Sequence, residues 1–317
     1  MRYSINVIPE GPIAGIVELA VRAETLGFDR CWVYDEGLVT RDVYVTMAAI
    51  AGATDRLVVG PGITNPYTRH PAQTAAAIAS LHELSGGRAF LGFGAGGSLT
   101  LDPIGLERHR PLRAVGEAIE VARRLYSGET VTFSGELFEL RSATMAYAAD
   151  DIEIWLAGRG PKMLALGGRV ADGVMLDFIH KPDLGNYVDR VRSGRAQARI
   201  CYSTAVVTTD DDLEFVRPHM TYRLVDAPQP VKDALGLGED DVSRIRAAMS
   251  GGLEAAAEYV RDEWILPFVL TGSAADVHDE VHQLGDRYGI EEFLLPVFDM
   301  PDPRGYLERL GPGPNRA

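Results

Sequence analysis

Short apolar runs alternate with amphipathic stretches along most of this chain, and the alternation is regular enough to predict its architecture. "YSINVI" leads into "IAGIVELAVRAETLGF", where apolar residues recur at helical spacing. "RCWVYD" leads into "DVYVTMAAIAGAT", "RLVVGPGIT" into "PAQTAAAIASLHELSGG", and "AFLGFGAGG" into "RPLRAVGEAIEVARRLYSG". Each pair reads as a strand followed by a helix, with glycine or polar residues closing the strand. Strands separated by whole helices pair in parallel, because such a crossover returns the chain to the same end of the sheet.

The rhythm breaks once. "ETVTFSGELFELRSA" alternates with period two around Ser134-Gly135 and predicts a β-hairpin excursion. The units resume with "IEIWLAG" before "GPKMLALGGRVA" and "GVMLDF" before "DLGNYVDRVRSG". "ARICYSTAVV" follows, and Asp210, Asp211 and Asp212 then open a helix through N-capping and complementarity to its dipole. A helix in "SAADVHDEVHQLGDRYG" precedes a last strand, "EEFLLPVF". The fold class is therefore α/β, with eight strand–helix units that suit a closed (β/α)8 TIM barrel better than an open doubly wound sheet. Residues 1–317 are expected to form a single barrel domain. It carries a hairpin excursion after the fourth unit and a helical insertion, about 226–263, after the seventh strand.

Composition narrows the function. The 317 residues are 46% hydrophobic with a formal net charge of −14, which fits a globular, acidic protein and argues against a nucleic-acid partner. No apolar run reaches the roughly 20 residues that span a bilayer, and the amino terminus lacks a signal-like apolar segment. Only Cys31 and Cys201 could form thiol chemistry, and both stand in apolar strands, so they read as buried free thiols of a cytoplasmic protein.

In such a barrel the chemistry lies at the carboxyl ends of the strands. In order those ends read Pro9-Glu10, Asp35-Glu36, Gly62-Ile63-Thr64-Asn65, Gly94-Ala95-Gly96-Gly97, Gly158-Arg159-Gly160, Asp177 and Pro296. They hold glycine and carboxylates but no His and Asp/Glu set at metal-ligand spacing, so no metal is expected. Ser98 does not sit in a nucleophile elbow. "LGFGAGG" allows backbone to approach a ligand closely or to hold a phosphate. "AGRGPKML" offers a helix N-terminus for an anion, with Arg159 or Lys162 adding charge. His82, His278 and His282 lie on predicted helices and are expected to face solvent, whereas His70 is expected to pack at a helix entry. On these residues alone, a non-redox barrel enzyme acting on a phosphorylated metabolite and a binding-only protein remain open.

Taken in order, "CWVYDEGLVTRDVY", "GPGITNPYTRHP", "LSGGRAFLGFGAGGS" and "GRGPKML" resemble the bacterial-luciferase-like superfamily of flavin- and deazaflavin-dependent oxidoreductases. Within it they are similar to the methylenetetrahydromethanopterin reductase branch, which uses coenzyme F-420. The resemblance runs over nearly the whole chain. It implies hydride transfer between F-420 and a small-molecule substrate, with FMN-dependent monooxygenation as the alternative, and a homodimer.

It also implies site residues. Gly62 and Ile63 match a bulge with a cis peptide behind the ring, with Thr64 and Asn65 able to bond its polar edge. Gly94, Ala95, Gly96 and Gly97, and Gly158, Arg159, Gly160 and Lys162, fall at the cofactor-binding turns. Asp35 matches a carboxylate near ring and substrate. Glu36 stands where many relatives carry histidine, so it could serve as acid or base only with a raised pKa. Gly97 stands where the sugar-phosphate dehydrogenase branch places a glutamate, so glucose-6-phosphate oxidation is not expected.

Overall fold

The computed structural model describes residues 1–195, 197–297, 300 and 302–313. Its strands are β1 (Arg2–Val7), β2 (Arg30–Val33), β3 (Val58–Pro61), β4 (Phe90–Phe93), β5 (Val131–Ser134), β6 (Glu139–Ala143), β7 (Glu153–Ala157), β8 (Gly173–Asp177), β9 (Arg199–Ser203), β10 (Val206–Val207), β11 (Leu270–Thr271) and β12 (Glu292–Pro296). Eight of them form one parallel sheet in the order β3-β2-β1-β12-β9-β8-β7-β4. Isolated parallel bridges Val59–Ala89 and Thr64–Phe93 join β3 to β4 and bring the two edges of the barrel together. The eight strands expected from the sequence are the eight observed.

Seven helices follow the first six barrel strands: α1 (Ile13–Thr25), α2 (Val43–Ala53), α3 (Pro71–Leu84), α4 (Ser98–Leu101), α5 (Pro111–Tyr126), α6 (Pro161–Val170) and α7 (Leu184–Arg192). The hairpin β5–β6 stands between β4 and β7, as its alternation predicts. Glu117 on α5 ties it down by accepting from the backbone N–H groups of Glu136, Leu137 and Phe138 at 2.8–3.2 Å.

After β9 come α8 (Asp210–Val225), α9 (Gln229–Leu235), α10 (Glu239–Ala248), α11 (Leu253–Ala257) and α12 (Asp262–Ile265). These helices share an apolar core of their own around Met220, Leu224, Ile245 and Trp264, and that core takes in α8 as well as the segment 226–263. The first turn of α8 holds the three aspartates, but its cap is Thr209, whose hydroxyl accepts from Asp212 N–H while Asp212 returns the bond. "ARICYSTAVV" is two strands rather than one, because Val206 and Val207 leave the barrel to pair with Leu270 and Thr271. Helices α13 (Ala274–Tyr288) and α14 (Pro303–Leu310) complete the chain.

The barrel interior is a packed plug. Trp32, Phe90, Trp155, Met175, Cys201 and Leu294 form a buried cluster, since alternate residues of each strand point inward. Beneath it lies a charged layer at the amino ends of the strands. Arg30, nearly fully buried, pairs with Glu153 and stands 3.7 Å from Glu292. Arg199 reaches Glu153 at 2.7 Å, and the Trp155 and Trp32 indoles donate to Glu153 and Glu292 at 3.0 and 2.9 Å. A cavity of about 830 Å³ opens at this end, beside Tyr3, Asp29, Arg30 and Glu153. Both cysteines are buried free thiols, and burial pushes their ionisation upward. Among the described residues, no helix is long and apolar enough to cross a membrane.

Candidate active site at the carboxyl ends of the strands

Above the plug, the inward positions divide into a bare half and a polar half. The bare half begins where β3 ends, and the Gly62–Ile63 peptide there is cis, as expected. A Cβ on Gly62 would lie 2.6 Å from Trp32 Cβ, and a Cβ on Gly94 would collide with the Ile63 side chain. One on Gly92 would collide with the Pro61 carbonyl. These contacts require glycine on both strands, and Ile63 fills the space that the β4 glycines leave. Thr64 N–H donates to Gly92 C=O at 3.0 Å, and Gly94 N–H to Thr64 C=O at 2.9 Å, which stitches the bulge to β4.

Thr64 and Asn65 are buried and engaged within the protein. The Thr64 hydroxyl donates to Asp35 Oδ2 at 2.6 Å. Asn65 Oδ1 accepts from the N–H groups of Tyr67 and Thr68 at 2.9 and 3.0 Å, closing the turn that leads to α3. His70 then caps α3, its Nδ1 accepting from Ala72 N–H at 3.2 Å, and its ring meets Phe138 edge-on.

Asp35 and Glu36 follow β2 and are half-buried. Burial raises the pKa of Asp35, opposed by its hydrogen bonds from the Thr64 hydroxyl and the Gly37 N–H. Burial also raises that of Glu36. The Thr100 hydroxyl, donating to Oε2 at 3.0 Å, opposes the rise, whereas the charges of Asp35 and Glu10 add to it. Glu36 thus retains its proton to higher pH than an ordinary glutamate.

The two glycine turns flank the bare half. Ala95 and Gly96 are half-buried and Gly97 exposed. Gly96 has φ +73°, a left-handed value suited to glycine, and its carbonyl accepts from Arg108 at 3.1 Å. Gly158 lies over Met163, and Gly160 is the N-cap of α6 with Pro161 in its first turn. Lys162 is exposed there, as is Arg159, which reaches Asp177 at 3.3 Å.

The polar half joins Asp177, a strand end read from the sequence, to residues that the sequence pattern does not single out. Asp177 ends β8 and accepts from Ser203 Oγ at 2.9 Å. Arg223 of α8 reaches the same carboxylate, and Tyr34, just after β2, interacts electrostatically with both. Asn6 on β1 is 1% exposed, and neither its amide oxygen nor its amide nitrogen has a hydrogen-bond partner. An inward polar residue at a strand end is the only sequence signal for Tyr34, Asn6 and Ser203; Arg223 carries none. His82, expected to face solvent, is instead buried with Asp151 at 3.2 Å, because α3 turns that face toward the barrel. His278 contacts the Tyr3 hydroxyl at 3.1 Å. Among the described residues no cluster of ligands could hold a metal ion.

A glycine-lined cup beside two carboxylates, over an aromatic plug, is the setting in which the likeness to known proteins matters. Residues 3–291 match the family described as luciferase-like monooxygenase. The chain belongs to that family. 5,10-Methylenetetrahydromethanopterin reductase of Archaeoglobus fulgidus is 31% identical to this luciferase-like chain over 98% of each sequence. The enzyme of that name from Methanolobus tindarius is 40% identical over 62% of this chain and 60% of its own. The solved coenzyme F-420-dependent tetrahydromethanopterin reductase of Methanopyrus kandleri superimposes with a TM-score of 0.89 at 25% identity, covering 98% of this chain and 97% of that one.

Proposed function

We propose that this luciferase-like barrel is an F-420-dependent oxidoreductase that exchanges a hydride with a small organic molecule at the barrel mouth. The observation that carries this reading is a buried amide without a hydrogen-bond partner, that of Asn6, beside the glycine-rich strand ends of the mouth. The unpartnered amide of Asn6, Oδ1 of which lies 3.3 Å from where a Gly62 Cβ would stand, supplies a donor and an acceptor for a polar ring edge. These residues fit the deazaflavin, and the reductases that this chain resembles support the assignment.

The bound cofactor supplies the hydride chemistry, leaving the chain to bind, orient and manage protons. Gly62, Ile63 and Asn6 hold the ring, while Gly94–Gly97 and the N-terminus of α6 with Gly158, Gly160 and Lys162 receive its anionic tail. Asp35, locked by Thr64 and Gly37, positions the β2 end. Glu36 is the proton carrier: Thr100 occupies Oε2, so Oε1 holds the mobile proton. The exposed apolar side chains Leu38, Val39 and Val45 favour a homodimer. Buried free thiols accord with a cytoplasmic protein.

Titrating the purified protein with F-420 and with FMN tests the reading. Micromolar binding of F-420, with much weaker binding of FMN, is expected. Binding of neither below high micromolar would overturn it, and oxygen uptake dependent on reduced FMN would replace it with the monooxygenase reading.

A further inference from the structure

The chemistry that hydride transfer leaves unused lies on the polar half of the mouth, at the end of β8. Its centre is Arg223, in the last turn of α8, which the side core carries to the end of β8. The residue is 6% exposed. Its guanidinium packs over the Phe178 ring at 3.9 Å and the Tyr222 ring at 4.8 Å, so its plane is fixed. Nη1 donates to the His219 carbonyl at 2.7 Å. Nη2 meets Asp177 Oδ2 only at 3.4 Å, and Nε has no partner at all.

Nε and Nη2 share one edge of the guanidinium, and that edge matches the two oxygens of a carboxylate. The edge is therefore the unsatisfied one. Asp177 does not complete it, because the same carboxylate also takes the Ser203 hydroxyl and Arg159. Two guanidinium groups facing one carboxylate leave this side of the mouth with an excess positive charge. The opposite side carries Glu10 and Asp35, whose charges act on Glu36. An anionic group entering the mouth is thus repelled from β1 and β2 and drawn to β8.

We propose that Arg223 determines substrate class, clamping a carboxylate on the small molecule that exchanges hydride at the barrel mouth. The inference rests on the proposed hydride-transfer site and adds the chemical identity of its substrate. Arg159, paired with the same Asp177, adds positive charge beside the clamp, and the acidic side orients the remainder of the substrate toward the ring.

Benzoate and benzamide, which differ in charge but little in shape, serve as probes. Their affinities are measured by thermal shift on the free protein and by absorbance on the F-420-loaded protein. Benzoate should bind at least tenfold tighter than benzamide. Arg223→Gln should remove that preference while F-420 affinity stays within about twofold, and Arg223→Lys should retain part of it. Asp177→Asn, which removes the competing carboxylate, should tighten benzoate about threefold and so keeps the test open if Arg223→Gln fails to fold. Equal binding of the probes, binding of neither, a preference surviving in Arg223→Gln, or no tightening in Asp177→Asn would overturn the inference. Loss of F-420 binding would overturn the cofactor reading instead, and the thermal-shift comparison would still decide the carboxylate clamp.

Discussion

Replacing Glu153 with glutamine perturbs the charged layer beneath the plug while preserving its shape. Glu153 is pushed down to a pKa of about 2. Burial acts against this, but the Arg30 charge and the bonds from Arg199, Trp155 and Arg30 prevail. From an ordinary value of 4.5 the fall is about 2.5 units, or roughly 3 kcal/mol at 1.36 kcal/mol per unit. The folded pKa is depressed, so this stabilisation is complete above about pH 5 and is lost as the pH falls toward 2. Urea unfolding of wild type and Glu153→Gln should therefore differ by about 3 kcal/mol at pH 7 and by about 1 kcal/mol at pH 3. Glutamine keeps an acceptor oxygen, so the Trp155 bond survives and the difference isolates the charge. A gap that is the same at both pH values would refute the argument, since a packing defect does not titrate.

Three further outcomes follow from the mouth and the plug. Gly94→Ala drives a methyl group into Ile63 and should weaken F-420 binding at least tenfold, about 1.4 kcal/mol, as measured by fluorescence titration. Glu36→Gln should lower turnover at least tenfold and remove the alkaline limb of the pH–rate profile. Because burial raises the Glu36 pKa, its stabilisation is present at low pH and lost as the pH rises through that value, so Glu36→Gln should also unfold at higher urea than wild type at pH 8 but not at pH 4. Cys31 and Cys201 are buried with raised thiol pKa values, so a thiol-reactive dye should label neither until the protein is denatured.

The parts of this molecule that were legible in the sequence are those with local causes. Val58 and Val59 followed by Gly60, Pro61 and Gly62 mark a strand that must stop, and the β3 end is found there. Period-two alternation around Ser134-Gly135 marks a hairpin because alternation is itself the strand's geometry. Asp35 and Glu36 were visible because barrel chemistry gathers at strand ends. Arg223 was not, since its position in the mouth depends on how α8 lies against β8, and helical periodicity records only that one face is buried. His82 was misread for a related reason: an imidazole on an amphipathic helix carries no sign of which neighbour it meets. Thr64 and Asn65 stand where expected, but their oxygens are occupied by partners that only the folded turn supplies.

"LSGGR" has a different kind of meaning from the glycines that follow it. The Arg88 guanidinium gathers the carbonyls of Ala51, Thr54, Leu57 and Ser85, and the Arg88 carbonyl accepts from Val59 N–H. One side chain thereby gathers the end of α2 and the entrance to β3 onto the threshold of β4, at the seam where the barrel's two edges meet with the fewest ladder bonds. Another chain that kept this arginine while changing every residue of the cup would be expected to share the closure and none of the reactivity. The motif is thus a signature of how the wall is sewn, and tracing it through a set of sequences sorts architectures rather than substrates.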